Sequence, residues 1–105
     1  MMKMLPAIDT PAEKNNYTYI LQCCDGSFYC GWTNDLTRRI AAHNAGTGSR
    51  YTRSRLPVEL AWFTVSETKE EAMSLEFHIK RLTRKQKERL ISGEAILAEL
   101  LPVTK

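Results

Sequence analysis

Residues 29–44 read YCGWTNDLTRRIAAHN, and this stretch decides the fold. An apolar, aromatic strand is predicted over 28–32, and the polar residues 33–35 end it. A helix follows, because Leu36 and Ile40 recur at helical spacing and place one apolar face toward a core. The sequence therefore predicts a strand that leads directly into an amphipathic helix.

The polar side chains of the same stretch form the first candidate site. Arg39 and His43 stand one helical turn apart, so their side chains point the same way. The strand before them carries Tyr29 and then Gly31, a backbone position without a side chain. A phenol, an open backbone position, a guanidinium and an imidazole thus come to one neighbourhood, and these groups are suited to handling a phosphate.

The positive charge of the chain is unevenly distributed. The 105 residues suffice for one domain with a modest core, and the net charge is +3. Every charged side chain between 36 and 58 is an arginine, and a second basic run occupies 80–89 with a single glutamate. This division predicts a polyanion-binding surface, although a solvated helix face explains the second run equally well. The candidate residues of this polyanion-binding surface are Arg38, Arg50, Arg53, Arg55, Lys80 and Arg84.

The cysteines and the N-terminal segment indicate the cellular compartment. The three cysteines show no metal-binding spacing, and Cys23 and Cys30 fall in strand patterns, which predicts free core thiols and a reducing, cytoplasmic environment. The N-terminal segment has no apolar run long enough for a signal peptide or a membrane span. We predict a loose leader at 1–15, one domain at 16–92 and a C-terminal helix and tail at 93–105. A monomer without membrane association is the default expectation.

Two strands precede the first helix as a hairpin, and the length of its turn decides where the tyrosines point. With a two-residue turn, Tyr19 and Tyr29 would fall on opposite faces of the sheet. With a three-residue turn and Gly26 in the left-handed conformation, Tyr19 pairs with Gly31 and both tyrosines share a face. We favour the second arrangement, in which Gly31 leaves a gap beside Tyr19 where another group can approach the backbone.

The next segments complete an antiparallel sheet of three strands. Asn34 or Asp35 caps the first helix, and Gly46 ends it as a left-handed residue. The polar, basic segment 46–57 is predicted to be a loop, and long loops in compact domains are often functional. A third strand is predicted over 58–65, with Trp62 as a large contributor to the core.

Further helices follow the third strand and pack on the sheet, which gives the α/β (α+β) class with three or more helices. Two capping boxes, each a threonine followed three residues later by Glu or Gln, predict helix starts at Thr68 and Thr83. Gly93 stops the second of these helices near Ile91, and a final amphipathic helix is predicted over 94–101. The apolar stripe of the earlier helix consists of Ala72, Leu75, Ile79 and Leu82. Glu76 lies inside that stripe, where a carboxylate costs free energy unless a cation meets it.

This order of elements and side chains resembles the GIY-YIG nuclease superfamily, and specifically its small stand-alone bacterial members. The two family tripeptides appear as Tyr17-Thr18-Tyr19 and Tyr29-Cys30-Gly31. Arg39 and His43 match the family's helix residues, and Glu76 matches its metal-binding glutamate. Each tripeptide alone is weak evidence, whereas the five-part constellation in one order is strong. The resemblance implies a GIY-YIG-like domain over nearly all of the predicted core.

The resemblance also implies a reaction, which is hydrolysis of a nucleic-acid phosphodiester by water with one divalent metal, Mg²⁺ or Mn²⁺. Glu76 would bind the metal, and Arg39 would hold the non-bridging oxygens as charge builds. Tyr29 or Tyr19 would take the proton of the attacking water, and His43 would hydrogen-bond the phosphate or the base tyrosine. DNA is expected by analogy, with a role in repair or recombination and no small-molecule cofactor.

Several alternatives stay open. Tyr19 and Tyr29 are also explained as half-buried aromatics of a sheet, and Glu76 as the partner of Lys80 one turn later. Some family branches carry an asparagine beyond the glutamate, and no asparagine follows Asn44 here, so that Gln86 or Lys80 would have to substitute in part. A nucleic-acid-binding adaptor with little or no cleavage is therefore the alternative function. A protein-interaction domain for an acidic partner is a third.

Overall fold

The computed structural model describes residues 10–101, and the hairpin at their start has the predicted register. Tyr19 pairs with Gly31 and Leu21 with Tyr29. The turn has three residues, because Cys23 donates its N–H to the carbonyl of Ser27 and Gly26 has a φ of 86°. Tyr19 and Tyr29 therefore share one face of the sheet.

The three strands form one antiparallel sheet in which the first strand is central. The order is β2-β1-β3, and the helices pack around this sheet, which confirms the predicted α+β class. The elements are β1 (Asn16–Gln22), β2 (Phe28–Thr33), α1 (Leu36–Asn44), α2 (Arg50–Arg53), β3 (Glu59–Ser66), α3 (Lys69–Lys80), α4 (Arg84–Ser92) and α5 (Leu97–Leu100). Since β2 is an edge strand, side chains from both faces of the sheet can meet along its open edge.

Each face of the sheet has its own apolar cluster. On the α1 face, Tyr17, Tyr19 and Leu21 pack with Leu36. The other face consists of Ile20, Cys30, Ala61, Ile79 and Leu90, with Trp62 partly buried against them. Because β1 is covered on both sides, its residues from Tyr17 to Leu21 are all buried. Cys23 and Cys30 are buried free thiols, as predicted.

Local capping explains why α1 lies where it does. Asp35 is the N-cap, and its side chain accepts the N–H of Arg38, which settles the open choice between Asn34 and Asp35. After α1, Gly46 is left-handed with a φ of 87°, as predicted. Asn44 then joins α1 to the start of the third strand, because its side-chain amide exchanges two hydrogen bonds with the backbone of Val58, at 2.7 and 3.1 Å.

The prediction that 46–57 is entirely a loop is wrong. Residues 50–53 form the short helix α2, because the Ser49 side chain caps it by accepting the N–H of Thr52. The third strand is displaced by one residue from its predicted bounds, at Glu59–Ser66.

The later helix boundaries are partly as predicted. Thr83 and Gln86 form the full capping box, and Gly93 ends α4 in the left-handed conformation. The box at Thr68 is half formed, because the Glu71 carboxylate accepts the N–H of Glu67 instead of that of Thr68.

Two other helix predictions are too long. Leu82 lies beyond the end of α3. The final helix is a single turn at Leu97–Leu100, because Ile96 is still extended. Residues 1–9 of the predicted leader and 102–105 of the predicted tail, including Pro102, lie outside the described residues.

Candidate active site

Tyr19 lies across the backbone of β2 at the one position that has no side chain. A Cβ on Gly31 would stand 2.6 Å from the phenol oxygen of Tyr19, a distance that real Cβ atoms do not reach. The space beside Gly31 is therefore filled by the Tyr19 ring itself, and the prediction that another group can approach the backbone there is wrong. Tyr19 is 1% exposed, and burial raises the pKa of its phenol to about 12. Tyr19 thus keeps its proton at neutral pH and is shielded from bulk water.

His43 is fully buried between a phenol and a hydroxyl. Its Nε2 lies 3.1 Å from the phenol oxygen of Tyr19, and its Nδ1 lies 2.8 Å from Oγ1 of Thr52. The ring of Tyr29 meets the imidazole edge-on, with the centroids 5.1 Å apart. Burial, with a smaller contribution from the charge of Arg39, lowers the pKa of His43 to about 4. The imidazole is therefore neutral at physiological pH.

Arg39 connects the two phenols with the segment that follows α1. Its Nη2 donates to the carbonyl oxygen of Gly48 at 2.8 Å. Hydrogen bonding to the phenol of Tyr19 is the largest of the causes that raise the pKa of Arg39, and the phenol of Tyr29 contributes as well. The structure therefore brings Tyr19, Tyr29, Arg39 and His43 together, as the sequence predicted.

Glu76 has a cation partner on its own helix. Its Oε2 lies 3.2 Å from Nζ of Lys80, and its side chain is 23% exposed. This ion pair raises the pKa of Lys80, with smaller contributions from Tyr29 and Cys30 on β2. The ion pair of Glu76 with Lys80, which the sequence offered as an alternative role for Glu76, is thus present. Tyr29 and Cys30 of β2 are close enough to α3 to influence Lys80 electrostatically.

The carboxylate of Glu76 is the candidate metal ligand, and its surroundings limit how it could bind. Among residues 10–101 no group of three or more His, Cys, Asp or Glu side chains is arranged to hold a metal ion. Mg²⁺ is commonly bound through one or two carboxylates, several waters and the phosphates of a substrate. One partly exposed carboxylate fits that mode, and it does not fit a site that holds the metal without substrate.

The predicted basic residues fall into two groups. Arg38 lines a cavity of about 360 Å³ beside Arg39 and Lys14, and Arg50 and Arg53 are exposed on α2. The others have partners within the protein. Lys80 forms an ion pair with Glu76. Arg84 pairs with Glu88 and lies over the Phe28 ring, and Arg55 pairs with Asp25 and lies over the Tyr51 ring. The first group is thus the more available for phosphates.

Three residues near the site were not singled out from the sequence. Tyr51 stacks on Tyr29 with ring centroids 6.1 Å apart, and Thr52 contacts His43 as described. Gly48 lies against the imidazole so closely that a Cβ there would be 2.3 Å from Nδ1. The Ser49-x-x-Thr52 capping pattern was the available signal, since it predicts a helix start inside the apparent loop.

Residues 15–89 match the GIY-YIG catalytic domain family. The chain belongs to the GIY-YIG family. This GIY-YIG protein is 56% identical to a UPF0213 protein of Clostridium perfringens over 80% of this chain and 90% of the relative. A UPF0213 protein of Streptococcus pneumoniae is 53% identical over 72% of this chain and 77% of its own.

Two solved structures are similar to this GIY-YIG protein. One is the solution NMR structure of the UPF0213 protein BH0048 from Bacillus halodurans, with 46% identity, coverage of 81% of this chain and 90% of that chain, and a TM-score of 0.50. The other is the solution NMR structure of EF2693 from E. faecalis, with 42% identity, coverage of 80% and 91%, and a TM-score of 0.55. The family resemblance seen in the sequence is confirmed, and the family is one of nucleases. No helix within 10–101 is long and apolar enough to cross a membrane.

The buried imidazole predicts a stability that depends on pH. The unfolded chain binds a proton on His43 near pH 6.5, and the folded chain does so only near pH 4. Between these values the unfolded state binds more protons, so the free energy of unfolding falls as the pH falls through this window. At pH 5 the free energy of unfolding should be about 2 kcal/mol lower than at pH 8 because of this residue alone. Urea unfolding from pH 8 to pH 5 measures the loss.

The matched control for this experiment is His43→Gln, which cannot titrate and keeps every other ionisable group. The variant is less stable at pH 8, because it loses packing around the site, and its stability should change less with pH than that of the wild type. Equal pH dependence in the two proteins would contradict the depressed pKa.

Proposed function

We propose that the protein is an endonuclease that hydrolyses phosphodiester bonds of nucleic acid with the help of a divalent cation, Mg²⁺ or Mn²⁺. The observation that carries this proposal is the convergence of two phenols, one guanidinium and one neutral imidazole beside Gly31 on an edge strand. Substrate can approach an open edge, and the family to which the chain belongs supplies the reaction class.

Arg39 is the group proposed to stabilise the transition state. A guanidinium is always charged at neutral pH and presents several N–H donors in a rigid fork. One nitrogen is held by the carbonyl of Gly48 at 2.8 Å, which fixes the orientation of the fork before substrate arrives. Donors oriented in advance toward developing negative charge are the usual source of a large rate enhancement.

Of the two phenols, Tyr29 is the better candidate for the general base. Tyr19 is 1% exposed and has a pKa of about 12, so it neither reaches water nor gives up its proton readily. Tyr29 is only partly buried, and it interacts with the cations of Arg39 and Lys80. A general base must be reachable by the attacking water, and the exposure of Tyr29 allows this while that of Tyr19 does not.

Glu76 is the residue proposed to hold the divalent cation, whose chemistry is to neutralise charge on the leaving oxygen. The ammonium of Lys80 pairs with this carboxylate, and the Lys80 side chain is about half exposed, so it can turn to solvent or to a phosphate when Glu76 takes another partner. The basic surface of Arg38, Arg50 and Arg53 would follow the phosphate backbone with a strong dependence on salt.

The substrate is proposed to be DNA, in repair or recombination, on the basis of the family alone. Incubation of labelled branched, single-stranded and duplex DNA with Mg²⁺, Mn²⁺ or EDTA tests the proposal. We expect cleavage that EDTA abolishes. Labelled RNA in parallel separates the two nucleic acids, and cleavage of RNA alone would overturn the DNA assignment.

A second candidate function is a nucleic-acid-binding adaptor, which the ion pair of Glu76 with Lys80 favours because the pair occupies the metal ligand. In that case the same substrates stay intact and are shifted in a gel, with affinity that falls steeply as salt rises. A protein without any salt-dependent binding to nucleic acid would instead be an interaction domain for an acidic partner.

A further inference from the structure

The segment that follows α1 holds Arg39 and His43 of that helix from one side. Gly48 accepts a hydrogen bond from Arg39 at 2.8 Å, and Thr52 lies 2.8 Å from Nδ1 of His43. Gly48 itself lies against the imidazole, where any side chain would collide with the ring. The segment 48–52 is therefore fitted to the two residues, and Thr52, which is fully buried, has no contact with solvent.

The hydrogen bonds of this cluster have a direction, because a buried phenol must donate its proton. Tyr19 is 1% exposed, so its hydroxyl needs an acceptor within the protein. The acceptor within reach is Nε2 of His43, at 3.1 Å. Since the imidazole is neutral, an unprotonated Nε2 requires a protonated Nδ1.

Thr52 completes the chain at the other ring nitrogen. With the proton on Nδ1, this nitrogen donates to Oγ1 of Thr52 at 2.8 Å, and the threonine hydroxyl can donate to Oγ or to the carbonyl oxygen of Ser49, at 3.0 and 3.4 Å. With this direction every buried polar side-chain atom in the hydrogen-bond chain from Tyr19 to Thr52 has a partner. The opposite direction would leave the buried proton of Tyr19 facing the N–H of Nε2, which costs free energy in a buried site.

We infer that Thr52 is a positioning residue of the proposed nuclease site: it accepts the Nδ1 proton of His43, so that Nε2 accepts the proton of Tyr19 and the lone pairs of the Tyr19 oxygen stay available to the guanidinium of Arg39. This inference rests on the proposed function. Thr52 acts through His43, whose Nδ1 lies 2.8 Å from its hydroxyl oxygen. Removal of the Thr52 hydroxyl should lower the cleavage rate by roughly tenfold to a hundredfold, as for other residues that orient a ligand-binding group.

Two measurements test the inference. The ring ¹⁵N chemical shifts of His43 in the free protein at pH 7 report which nitrogen carries the proton, without any substrate. We expect the Nδ1–H form in the wild type and in Thr52→Ser, and loss of its predominance in Thr52→Val, which has the same shape as threonine and no hydroxyl. Cleavage should follow the same order, with Thr52→Ser close to wild type.

The outcomes separate the inference from the proposed function. An Nε2–H form in the wild type would overturn the inference whatever the cleavage result, and so would Thr52→Val with wild-type cleavage and an unchanged tautomer. An Nδ1–H wild type that cleaves no nucleic acid would instead support the hydrogen-bond chain and overturn only the nuclease proposal. If the Thr52→Val protein fails to fold, the ¹⁵N shifts of wild-type His43 still test the inference, because they need no variant.

Discussion

Glu76→Gln should lower the single-turnover rate of Mg²⁺-dependent cleavage by about a thousandfold or more. A bound divalent cation supplies several kcal/mol of charge stabilisation, and each 1.36 kcal/mol is tenfold in rate. Glutamine keeps the size of the side chain and removes the charge that would attract the cation. Because Glu76 is the proposed protein ligand, a higher Mg²⁺ concentration should recover little of the rate. Rates at saturating protein and several Mg²⁺ concentrations measure the effect.

The matched control is Glu70→Gln, which removes one carboxylate from the exposed first turn of the same helix. Its cleavage rate should equal that of the wild type, while its stability falls slightly because acids favour a helix start. If Glu76→Gln and Glu70→Gln cleave equally well, Glu76 holds no catalytic metal and its ion pair with Lys80 is its whole role.

Arg39→Ala should lower the cleavage rate by about a hundredfold to a thousandfold, the usual cost of losing one oriented donor to transition-state charge. The loss should appear in the rate at saturation more than in binding, because the proposed contact strengthens as charge develops. Arg39→Lys keeps the charge and loses the fork that spans Gly48 and the phenol of Tyr19. It should therefore recover only a small part of the rate.

Arg38→Ala is the control for position and net charge. Arg38 is the exposed neighbour of Arg39 and lines the adjoining cavity, so its loss should weaken binding and its salt dependence while the saturated rate changes little. A reduction in the saturated rate of equal size in Arg38→Ala and Arg39→Ala would show that both arginines act through general electrostatics alone.

The parts of the site that follow from local rules were predictable from the sequence. The three-residue turn with left-handed Gly26 fixed the hairpin register, and the register placed Tyr19 opposite Gly31. Helical spacing brought Arg39 and His43 to one side. These conclusions need only turn chemistry and periodicity, which act over a few residues.

The rest depends on contacts that periodicity does not encode. Thr52 reaches His43 because the segment after α1 folds back over its own helix, and a Gly-rich, basic sequence is equally compatible with an open loop. The choice between the phenols also had to wait for the structure, since Tyr19 and Tyr29 have the same chemistry and differ in burial. Spacing did suggest the pair of Glu76 with Lys80, yet it left open whether the carboxylate faces β2.

Paramagnetic broadening by Mn²⁺ in the presence of a non-cleavable phosphorothioate oligonucleotide tests most directly whether these groups form one site. Mn²⁺ alone should broaden few amide signals, because a single carboxylate holds the ion weakly without a phosphate. With the oligonucleotide, we expect selective loss of the amide signals of Glu76, Lys80 and Gly31, and no such loss in Glu76→Gln. Broadening centred on Glu70 and Glu71, with Gly31 unaffected, would contradict the account.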